Sequence, residues 1–253
     1  MDAAPRLLAV FFDVQRGLPR QGPGSERSTL EALALCSQLP ADPDVLDVGC
    51  GPGGQTMTLA RACGGRIVAV DTCDEYLDEL RERAQRAGVA GRIDALNADM
   101  AALAFPVGSF DLVWCEAAAY VMGVAAALAA WRPLLRDRGY LAFSELVWLT
   151  NDPPPAAAEF WRAGYPAMTT VRGVLREVRE SGYEPLGGFT LPDSDWWSDY
   201  YGPLQAKLPV LREKYAGDEQ ALGVVAATEA EIEVRRRYAD AYGYRFFVAR
   251  RAG

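Results

Sequence analysis

A glycine-rich turn near the start of the chain carries residues that could hold a nucleotide cofactor. A short apolar run, 45–48, contains one acid, Asp47, and leads into the stretch Gly49-Cys50-Gly51-Pro52-Gly53-Gly54. A helix-like segment, 55–62, follows at once. Glycines let a backbone approach a ligand closely, and the first turn of a helix offers free N–H groups. This order of strand, glycine turn and helix is typical of nucleotide-cofactor sites.

The glycine spacing alone does not decide which nucleotide binds. Gly49, Gly51 and Gly54 satisfy the pattern G-x-G-x-x-G, which also suits NAD or FAD. Asp47, two residues before Gly49, would repel a nearby pyrophosphate, whereas it can face a cationic group of a ligand. This acid therefore favours a nucleotide with a positively charged part.

Two further acids follow the next two predicted strands. Asp71 closes the apolar run 67–70, and an acid at that point can accept both hydroxyls of a ribose. Asp99 follows the third strand and can accept from an adenine amino group, with the apolar Met100 against the ring. Together these residues indicate an adenosine-containing ligand.

The order of these motifs resembles that of class I S-adenosylmethionine (SAM) methyltransferases. D-x-G-x-G-x-G from Asp47, a strand-end acid, A-D-M and then F-D-L-V-W at 110–114 occur in the order of that family. The resemblance is strong over about residues 44–146. It is closest to a bacterial subgroup of the ubiquinone/menaquinone-biosynthesis type, through R-Q-G-P-G-S at 20–25 and Y-G-Y-x-F-F at 242–247.

The resemblance implies SAM as the cofactor and S-adenosylhomocysteine as the product. Gly49, Gly51 and Gly53 would let the backbone pass close to the cofactor, and Asp47 would lie near its aminoacyl end, directly or through water. Gln21 or Arg20 would touch the methionyl part as the N-terminal segment closes over it. The alternative is that the glycines form only a tight turn, that the acids cap helices, and that the segment of Gln21 is a surface turn.

The ends of the fourth and fifth predicted strands carry the candidate catalytic residues. The chain has no histidine, which is the commonest general base. Glu116 and Glu145 at neighbouring strand tips predict an acidic mouth that could bind a cationic amine or take its proton. Tyr120 completes the catalytic set, and Trp148 is a further pocket candidate. The alternative is that the two carboxylates only hydrogen-bond backbone or Arg20.

Alternating apolar runs and helical patterns predict an α/β fold, a Rossmann-like doubly wound sheet covered on both faces. The resemblance implies seven strands, the last of them antiparallel. We expect one domain, 1–253, in which an N-terminal helical segment (1–43) precedes a cofactor-binding core (44–191). A helical cap (192–241) is then inserted before the last strand (242–253), because so long a connection is uncommon.

Two clusters in the cap have competing interpretations. Trp196, Trp197, Tyr200 and Tyr201 could form a wall for a substrate, but we favour a small core belonging to the cap itself. The basic run 235–237 has acidic partners four residues earlier, which predicts a solvated helix face.

Composition limits the classes of partner. A net charge of -8 argues against nucleic acid and anionic membranes, since phosphate binding needs clustered Lys and Arg. Five cysteines without a C-x-x-C spacing favour reduced thiols and no metal. The apolar run 7–12 is too short to span a bilayer, and we expect a helix that packs on the domain or covers the cofactor. We therefore expect a cytoplasmic protein, with a homodimer as a possibility.

The predicted reaction is methyl transfer to a small-molecule acceptor, on nitrogen, oxygen or carbon. One alternative is an NAD(P)-linked oxidoreductase, which Asp47 and the Asp99 motif oppose. The other is a SAM-binding module without catalysis.

Overall fold

The computed structural model describes the backbone of residues 3–253 and the side chains of residues 6–253. A single seven-stranded sheet forms its centre, in the order β3-β2-β1-β4-β5-β7-β6. The strands are β1 (Val45–Val48), β2 (Ile67–Asp71), β3 (Ile93–Asn97), β4 (Phe110–Glu116), β5 (Leu135–Trp148), β6 (Tyr183–Gly187) and β7 (Tyr242–Arg251).

Strand directions follow the predicted pattern. Strands β1 to β5 pair in parallel, and β7 lies antiparallel between β5 and β6. Strand β1 is buried along its whole length, which is why its sequence is an almost continuous apolar run. The chain reverses its sheet order beside β1, so the carboxyl ends of β1 and β4 border a crevice where ligands bind in such folds. The predicted fold class is confirmed.

Helices cover both faces of the sheet. The helices up to β6 are α1 (Ala3–Gln15), α2 (Glu26–Ala34), α3 (Gly54–Ala62), α4 (Asp74–Arg86), α5 (Val124–Trp131), α6 (Pro155–Gly164) and α7 (Val171–Glu180). Ser25 caps α2 by accepting from the N–H of Ser28, as its side chain type predicts. Helix α4 begins at Asp74, and Cys73 holds its N-cap position.

The segment before β7 forms a helical cap. Helix α8 (Ser194–Trp196) continues through a π-helical turn (Trp197–Tyr201) into α9 (Gly202–Lys214), and α10 (Glu219–Tyr238) returns to the sheet. Trp196, Tyr200 and Tyr201 are buried in one apolar cluster with Leu204 and Tyr242. This packing fits the interpretation of the aromatics as a core of the cap, but Trp196 and Tyr200 also line a cavity beside the cap, so a substrate wall stays open as well. The division of the chain at residues 43, 191 and 241 stays a prediction.

The predicted solvated face of α10 is wrong for one of its two pairs. Arg235 is 4% exposed and lies with its guanidinium over the Trp196 ring, where it donates to the carbonyl of Tyr242. Glu231 accepts from the hydroxyl of Tyr201 instead of pairing with Arg235. Only Glu233 pairs with its exposed arginine neighbours as expected. The i,i+4 spacing of the charges did not reveal that Glu231 and Arg235 would instead contact aromatic residues of the cap.

The five cysteines are not paired in the structure, and four of them are buried: Cys36, Cys50, Cys63 and Cys115. Within residues 3–253, no helix has the length and apolar character needed to cross a membrane.

Candidate active site

Two adjoining cavities open where the parallel strands end. The first, here called the glycine-turn cavity, has a volume of about 250 Å³ and lies against the turn after β1. The second, the cap cavity, measures about 670 Å³ and lies between the sheet, α6 and the helical cap. The two share a wall formed by Phe11, Gln15, Gln21, Gly22, Pro23, Ala117 and Tyr120. A ligand in one cavity can therefore be next to a ligand in the other.

Asp71 anchors the glycine turn through hydrogen bonds from backbone N–H groups. Gly51 has a φ of +53°, and its N–H donates to Asp71 Oδ2 at 2.9 Å. Asp71 Oδ1 accepts from the N–H of Cys73 at 3.0 Å. Each carboxylate oxygen keeps a second lone pair, and Asp71 lines the cavity beside Gly49 and Gly51. Asp71 is thus placed to accept from a hydroxyl-rich group.

Gly53 has a packing role in this turn. A Cβ at this position would lie 2.3 Å from Cδ1 of Leu80 on α4, and the φ of Gly53 is +86°. The residue is the N-cap of α3 and does not line the glycine-turn cavity, although Gly49, Gly51 and Gly54 do. Contact of Gly53 with a cofactor stays a prediction, and the visible reason for a glycine here is the close approach of α4.

Asp47 lies beneath the turn. Its side chain is fully buried and accepts from Thr56 Oγ1 at 2.5 Å and from Gln55 Nε2 at 3.3 Å. Burial raises the pKa of Asp47 to about 7, against the lowering effect of the Thr56 hydroxyl, and Glu116 raises it further. Gln55 lies on the cavity, so any influence of Asp47 on a ligand would pass through this amide.

Asp99 and Met100 have different surroundings at the other end of the cavity, although they are neighbours in the sequence. Asp99 is exposed and accepts from the N–H of Ala101 at 2.9 Å, which is the turn-capping arrangement of the alternative interpretation. Met100 lines the cavity, and its Cε would be 3.6 Å from a Cβ placed on Gly49. An apolar ring between Met100 and the turn is compatible with this spacing, while the adenine contact of Asp99 stays a prediction.

The amide of Gln21 is oriented by the end of α1. Its Nε2 donates to the carbonyls of Gln15 at 3.2 Å and Leu18 at 3.5 Å. The donors fix which way the amide points, so Oε1 turns toward Gly51, 3.4 Å from where a Cβ would be. This oxygen is buried and finds no hydrogen-bond partner in the described part of the chain. It is an acceptor aimed at the cavity.

Both oxygens of the Glu116 carboxylate accept hydrogen bonds. Its Oε2 accepts from Arg20 Nη1 at 2.7 Å, and Oε1 accepts from Thr29 Oγ1 at 2.7 Å and Trp114 Nε1 at 2.9 Å. Glu116 and Arg20 are each 8% exposed and both line the glycine-turn cavity. This buried ion pair joins the N-terminal segment to the tip of β4. It is the arrangement that the alternative interpretation of Glu116 described.

Glu145 belongs to the opposite face of the sheet. In the register of β4 and β5, Glu116 pairs with Ser144, and successive side chains on a strand alternate between faces. Glu116 therefore points toward α2. Glu145 lies on the other face, where it borders both the cap cavity and a further cavity beside α5 and α7. The predicted acidic mouth of two adjacent carboxylates is wrong, because a one-residue offset separates them by the thickness of the sheet.

Glu145 is buried and incompletely satisfied. It is 1% exposed, Oε1 accepts from the N–H of Leu146 at 2.8 Å, and Oε2 has no partner of regular geometry among the described residues. Burial raises the pKa of Glu145 to about 8, against the lowering effects of the Leu146 N–H and the Tyr165 hydroxyl, while Glu177 raises it further. A carboxyl group that lines a cavity and titrates near neutral pH is suited to accept a proton.

The two aromatic candidates differ in position. Tyr120 lines both cavities, is 44% exposed, and packs edge-on against Tyr165 with ring centroids 5.7 Å apart. Trp148 packs against Tyr242 in the cluster of the cap and is not on the wall of either described cavity. Tyr120 thus keeps its place as a site candidate, and a pocket role for Trp148 stays a prediction.

Several residues on the cavities carry no motif in the sequence. Helix α1 contributes Phe11, Phe12 and Gln15, as a covering helix would, and α6 brings Phe160 and Trp161. Their positions depend on how distant helices pack, so only the apolar run 7–12 signalled any of them.

Comparisons with known proteins decide the family. Residues 45–139 match the family model described as "Methyltransferase domain". The chain is 32% identical over 183 residues to the malonyl-[acyl-carrier protein] O-methyltransferase of Enterobacter lignolyticus, an alignment that covers 71% of this chain and 69% of that protein. The chain belongs to the class I S-adenosylmethionine-dependent methyltransferases. It is also 26% identical to the 27-O-demethylrifamycin SV methyltransferase of Amycolatopsis mediterranei, over 81% of this chain and 75% of that relative.

The fold of this methyltransferase agrees with that assignment. It is similar to the SAM-dependent methyltransferase of Thiobacillus denitrificans, solved with S-adenosylhomocysteine, with a TM-score of 0.81 at 21% identity over 95% of this chain and 97% of that one. The predicted family, enzyme class and cofactor are confirmed, and the oxidoreductase alternative is set aside. The ubiquinone-type subgroup stays a prediction.

Proposed function

We propose that this methyltransferase binds SAM in the glycine-turn cavity and methylates a small molecule held in the cap cavity. The observation that carries the proposal is the shared wall of the two cavities, which contains Gln21, Ala117 and Tyr120. Two ligands that meet at this wall need no movement of the sheet to react. Holding reactants in line contributes up to roughly 7–11 kcal/mol in favourable cases.

The polar groups of the glycine-turn cavity complement the parts of SAM. Asp71 would accept from the ribose, and Met100 would lie beside the adenine with Asp99 at the rim. Gln21 Oε1, which is buried and without a partner in the described part of the chain, would accept from the α-ammonium group. Gly49 and Gly51 would let the backbone approach, with Asp47 acting through Gln55. We propose these contacts as the cofactor site.

The ion pair of Arg20 and Glu116 has a positioning role in this proposal. Arg20 approaches the first turn of α3, since a Cβ at Gly54 would be 3.1 Å from Arg20 Cγ. Glu116 holds the guanidinium there, and Thr29 and Trp114 hold Glu116. A cation fixed beside the N–H groups of a helix start would attract the carboxylate of the methionyl part. Glu116 would act through Arg20.

Glu145 is the proposed proton acceptor, with Tyr120 beside the reacting groups. SAM supplies a methyl group already activated by a sulfonium, so the chain itself must orient the acceptor, exclude water and remove a proton where the acceptor carries one. The apolar side chains Phe11, Phe160 and Leu146 around the cap cavity serve the exclusion of water. A positioned base adds about 10²–10⁴ in rate.

The relatives support a small acceptor. The names of two of them describe O-methylation of a demethylrifamycin and of a malonyl group on a carrier protein. A cap cavity of about 670 Å³ is within the range of sites for small molecules. A cytoplasmic location and a homodimer stay predictions, and sedimentation of the purified protein would decide the second.

Titration calorimetry with SAM, followed by methyl-transfer assays on a panel of metabolites, tests the proposal. Gly51→Val places a β-branched residue at a φ of +53°, at a conformational cost of about 1–3 kcal/mol. If the turn moves to relieve this strain and must be restored on binding, the affinity for SAM falls by roughly 5- to 150-fold. Gly91→Val is the matched control, because a Cβ there meets no atom within 4 Å.

Three outcomes separate the candidates. Weakened SAM binding in folded Gly51→Val, with the control unchanged, supports the cofactor site. Unchanged binding in both variants would remove the glycine turn from it. Tight SAM binding without methylation of any acceptor would favour a module that binds SAM without catalysis.

A further inference from the structure

We propose that the methyl acceptor is an amine with an apolar body, whose ammonium group binds to Glu145 inside the cap cavity. The inference rests on the proposed function and narrows it to a class of substrate. Its starting point is an unsatisfied carboxylate oxygen, Oε2 of Glu145, in a side chain that is 1% exposed. In the described part of the chain this oxygen has no donor of regular geometry, although the Tyr165 hydroxyl lies close to the carboxyl group. A buried acceptor that is so poorly satisfied is costly unless a ligand supplies the donor.

The charge around the cap cavity selects for a cation. Three carboxylates, those of Glu145, Glu159 and Glu231, contribute to its wall, and none of its described lining residues is a lysine or arginine. Glu231 is already bonded to Tyr201, and Glu159 is exposed. An anionic acceptor would find no lysine or arginine on this wall, whereas an ammonium group would find the second oxygen of Glu145.

The remaining wall suits an apolar body. Aromatic side chains dominate it, among them Phe11, Tyr120, Phe160, Tyr165, Tyr200 and Tyr244. Faces of aromatic rings attract a cation in addition to burying apolar surface. Tyr120 and Tyr165 meet edge to face, and the Tyr165 hydroxyl lies close to the carboxyl group of Glu145. A compact amine with an attached ring or chain matches this combination.

The charged and titratable groups around Glu145 leave its free oxygen to the ligand. The side chains that face it, from every element packed on it, are Cys115, Tyr120, Tyr165, Glu177, Tyr244 and Arg245. Arg245, its partner across the strand pair, donates instead to the carbonyl of Gly188 and lies over the Phe247 ring. No described cation therefore neutralises Glu145.

The proton and electron balance of the step is simple. The ammonium N–H gives its proton to Glu145, and the freed lone pair on nitrogen forms the new N–C bond. The C–S bond breaks with its electron pair left on sulfur, and the positive charge moves to the methylated nitrogen. Loss of one further proton from that nitrogen returns a neutral amine.

Calorimetry on protein saturated with S-adenosylhomocysteine tests the class of ligand directly. The probes are 2-phenylethylamine and two analogues of similar size, 2-phenylethanol and 3-phenylpropionate. We expect the amine to bind at least about tenfold tighter than either analogue, as a charge-assisted bond to a buried carboxylate predicts. Because the pKa of Glu145 is about 8, binding near pH 7 also releases close to one proton.

Two variants make the assignment specific. Glu145→Gln, which keeps the shape of the side chain, should lower the affinity for the amine about tenfold, abolish proton release and leave the binding of 2-phenylethanol unchanged. Glu159→Gln is the matched control on the same cavity and should change the affinity for the amine by less than about threefold.

Failure of this inference and failure of the proposed function are distinguishable. If S-adenosylhomocysteine itself does not bind, the proposed function fails. If it binds but the alcohol or the acid binds as tightly as the amine, or no amine binds at about 20 mM, the amine class is overturned. Unchanged affinity for the amine in folded Glu145→Gln would overturn the role of Glu145.

Discussion

The two cavities of this methyltransferase are built in different ways, although they share a wall. The glycine-turn cavity is lined mainly by short segments that follow β1, β2 and β4, and its buried carboxylate, Glu116, has three donors. The cap cavity draws on α1, α6, α10 and β7, and its buried carboxylate, Glu145, has one oxygen without a donor. The first region therefore has its buried charges paired before a ligand binds, whereas the second has a carboxyl group of raised pKa with one oxygen that lacks a donor of regular geometry.

This difference matches the demands on each region. A cofactor common to a whole family can be held by one arrangement of backbone and acids after parallel strands. An acceptor varies among relatives, so the helices around it vary with it, and the residue that recognises it must be free until it arrives. We therefore expect that removing a charge destabilises the protein at the paired carboxylate, Glu116, but not at Glu145.

The largest expected effect comes from breaking the paired carboxylate. Arg20→Met leaves the charge of Glu116 buried with only Thr29 and Trp114 as donors. Loss of one partner of a buried ion pair costs roughly 3–5 kcal/mol. Urea denaturation should show this loss in the free energy of unfolding, and the double variant Arg20→Met/Glu116→Gln should recover part of it.

An exposed pair provides the control. Arg61 pairs with Glu26 at 3.1 Å, with both side chains about half exposed or more. Arg61→Met should therefore change stability by less than about 1 kcal/mol. Equal losses in Arg20→Met and Arg61→Met would contradict the view that Glu116 depends on its partner.

The same contrast explains what could be predicted from the sequence. Asp71 and the glycine turn are contiguous with their strands, so the motif places them together, and the sheet order follows from the alternating runs. Glu116 and Glu145 were assigned to one mouth because both end strands, but their faces depend on a register that the sequence does not display. Phe160, Tyr165 and Tyr200 reach the cap cavity only through the packing of α6 and the cap. The burial of Arg235 against Trp196 also depends on the packing of the cap, which its charge pattern does not show.

For each unit of pH, a smaller effect is expected from the titration of Glu145. Its pKa is raised from 4.5 to about 8 by burial, so the folded protein holds a proton that the unfolded chain has released between these values. Stability due to this group is therefore present below about pH 4.5 and is lost as the pH rises toward 8, at up to about 1.4 kcal/mol per pH unit. Glu145→Gln should flatten the dependence of the unfolding free energy on pH in this window.

Asp47 contributes a slope of the same sign, because its pKa is raised from 3.8 to about 7. The Glu145→Gln variant should therefore keep part of the pH dependence, chiefly below about pH 7. The exposed Glu159 serves again as the comparison, and Glu159→Gln should follow the parent protein. A parent-like slope in Glu145→Gln would mean that Glu145 is ionised throughout, and the contrast with Glu116 would disappear.

The smallest expected effect concerns α1, the helix that covers both cavities. Lys207 donates to the carbonyls of Asp13, Val14 and Arg16 at the carboxyl end of this helix, at 2.7, 3.0 and 2.6 Å. Lys207→Met keeps the aliphatic stem but leaves these carbonyls without their cation, at a cost of about 1–2 kcal/mol. Amide exchange in residues 10–18 should accelerate roughly 5- to 30-fold, while β4 and β5 keep their protection. Lys214→Met removes only an exposed contact to the Asp13 carboxylate and should have less effect. If the two variants exchange alike, α1 is held by its apolar contacts, and the wall shared by the two cavities does not depend on Lys207.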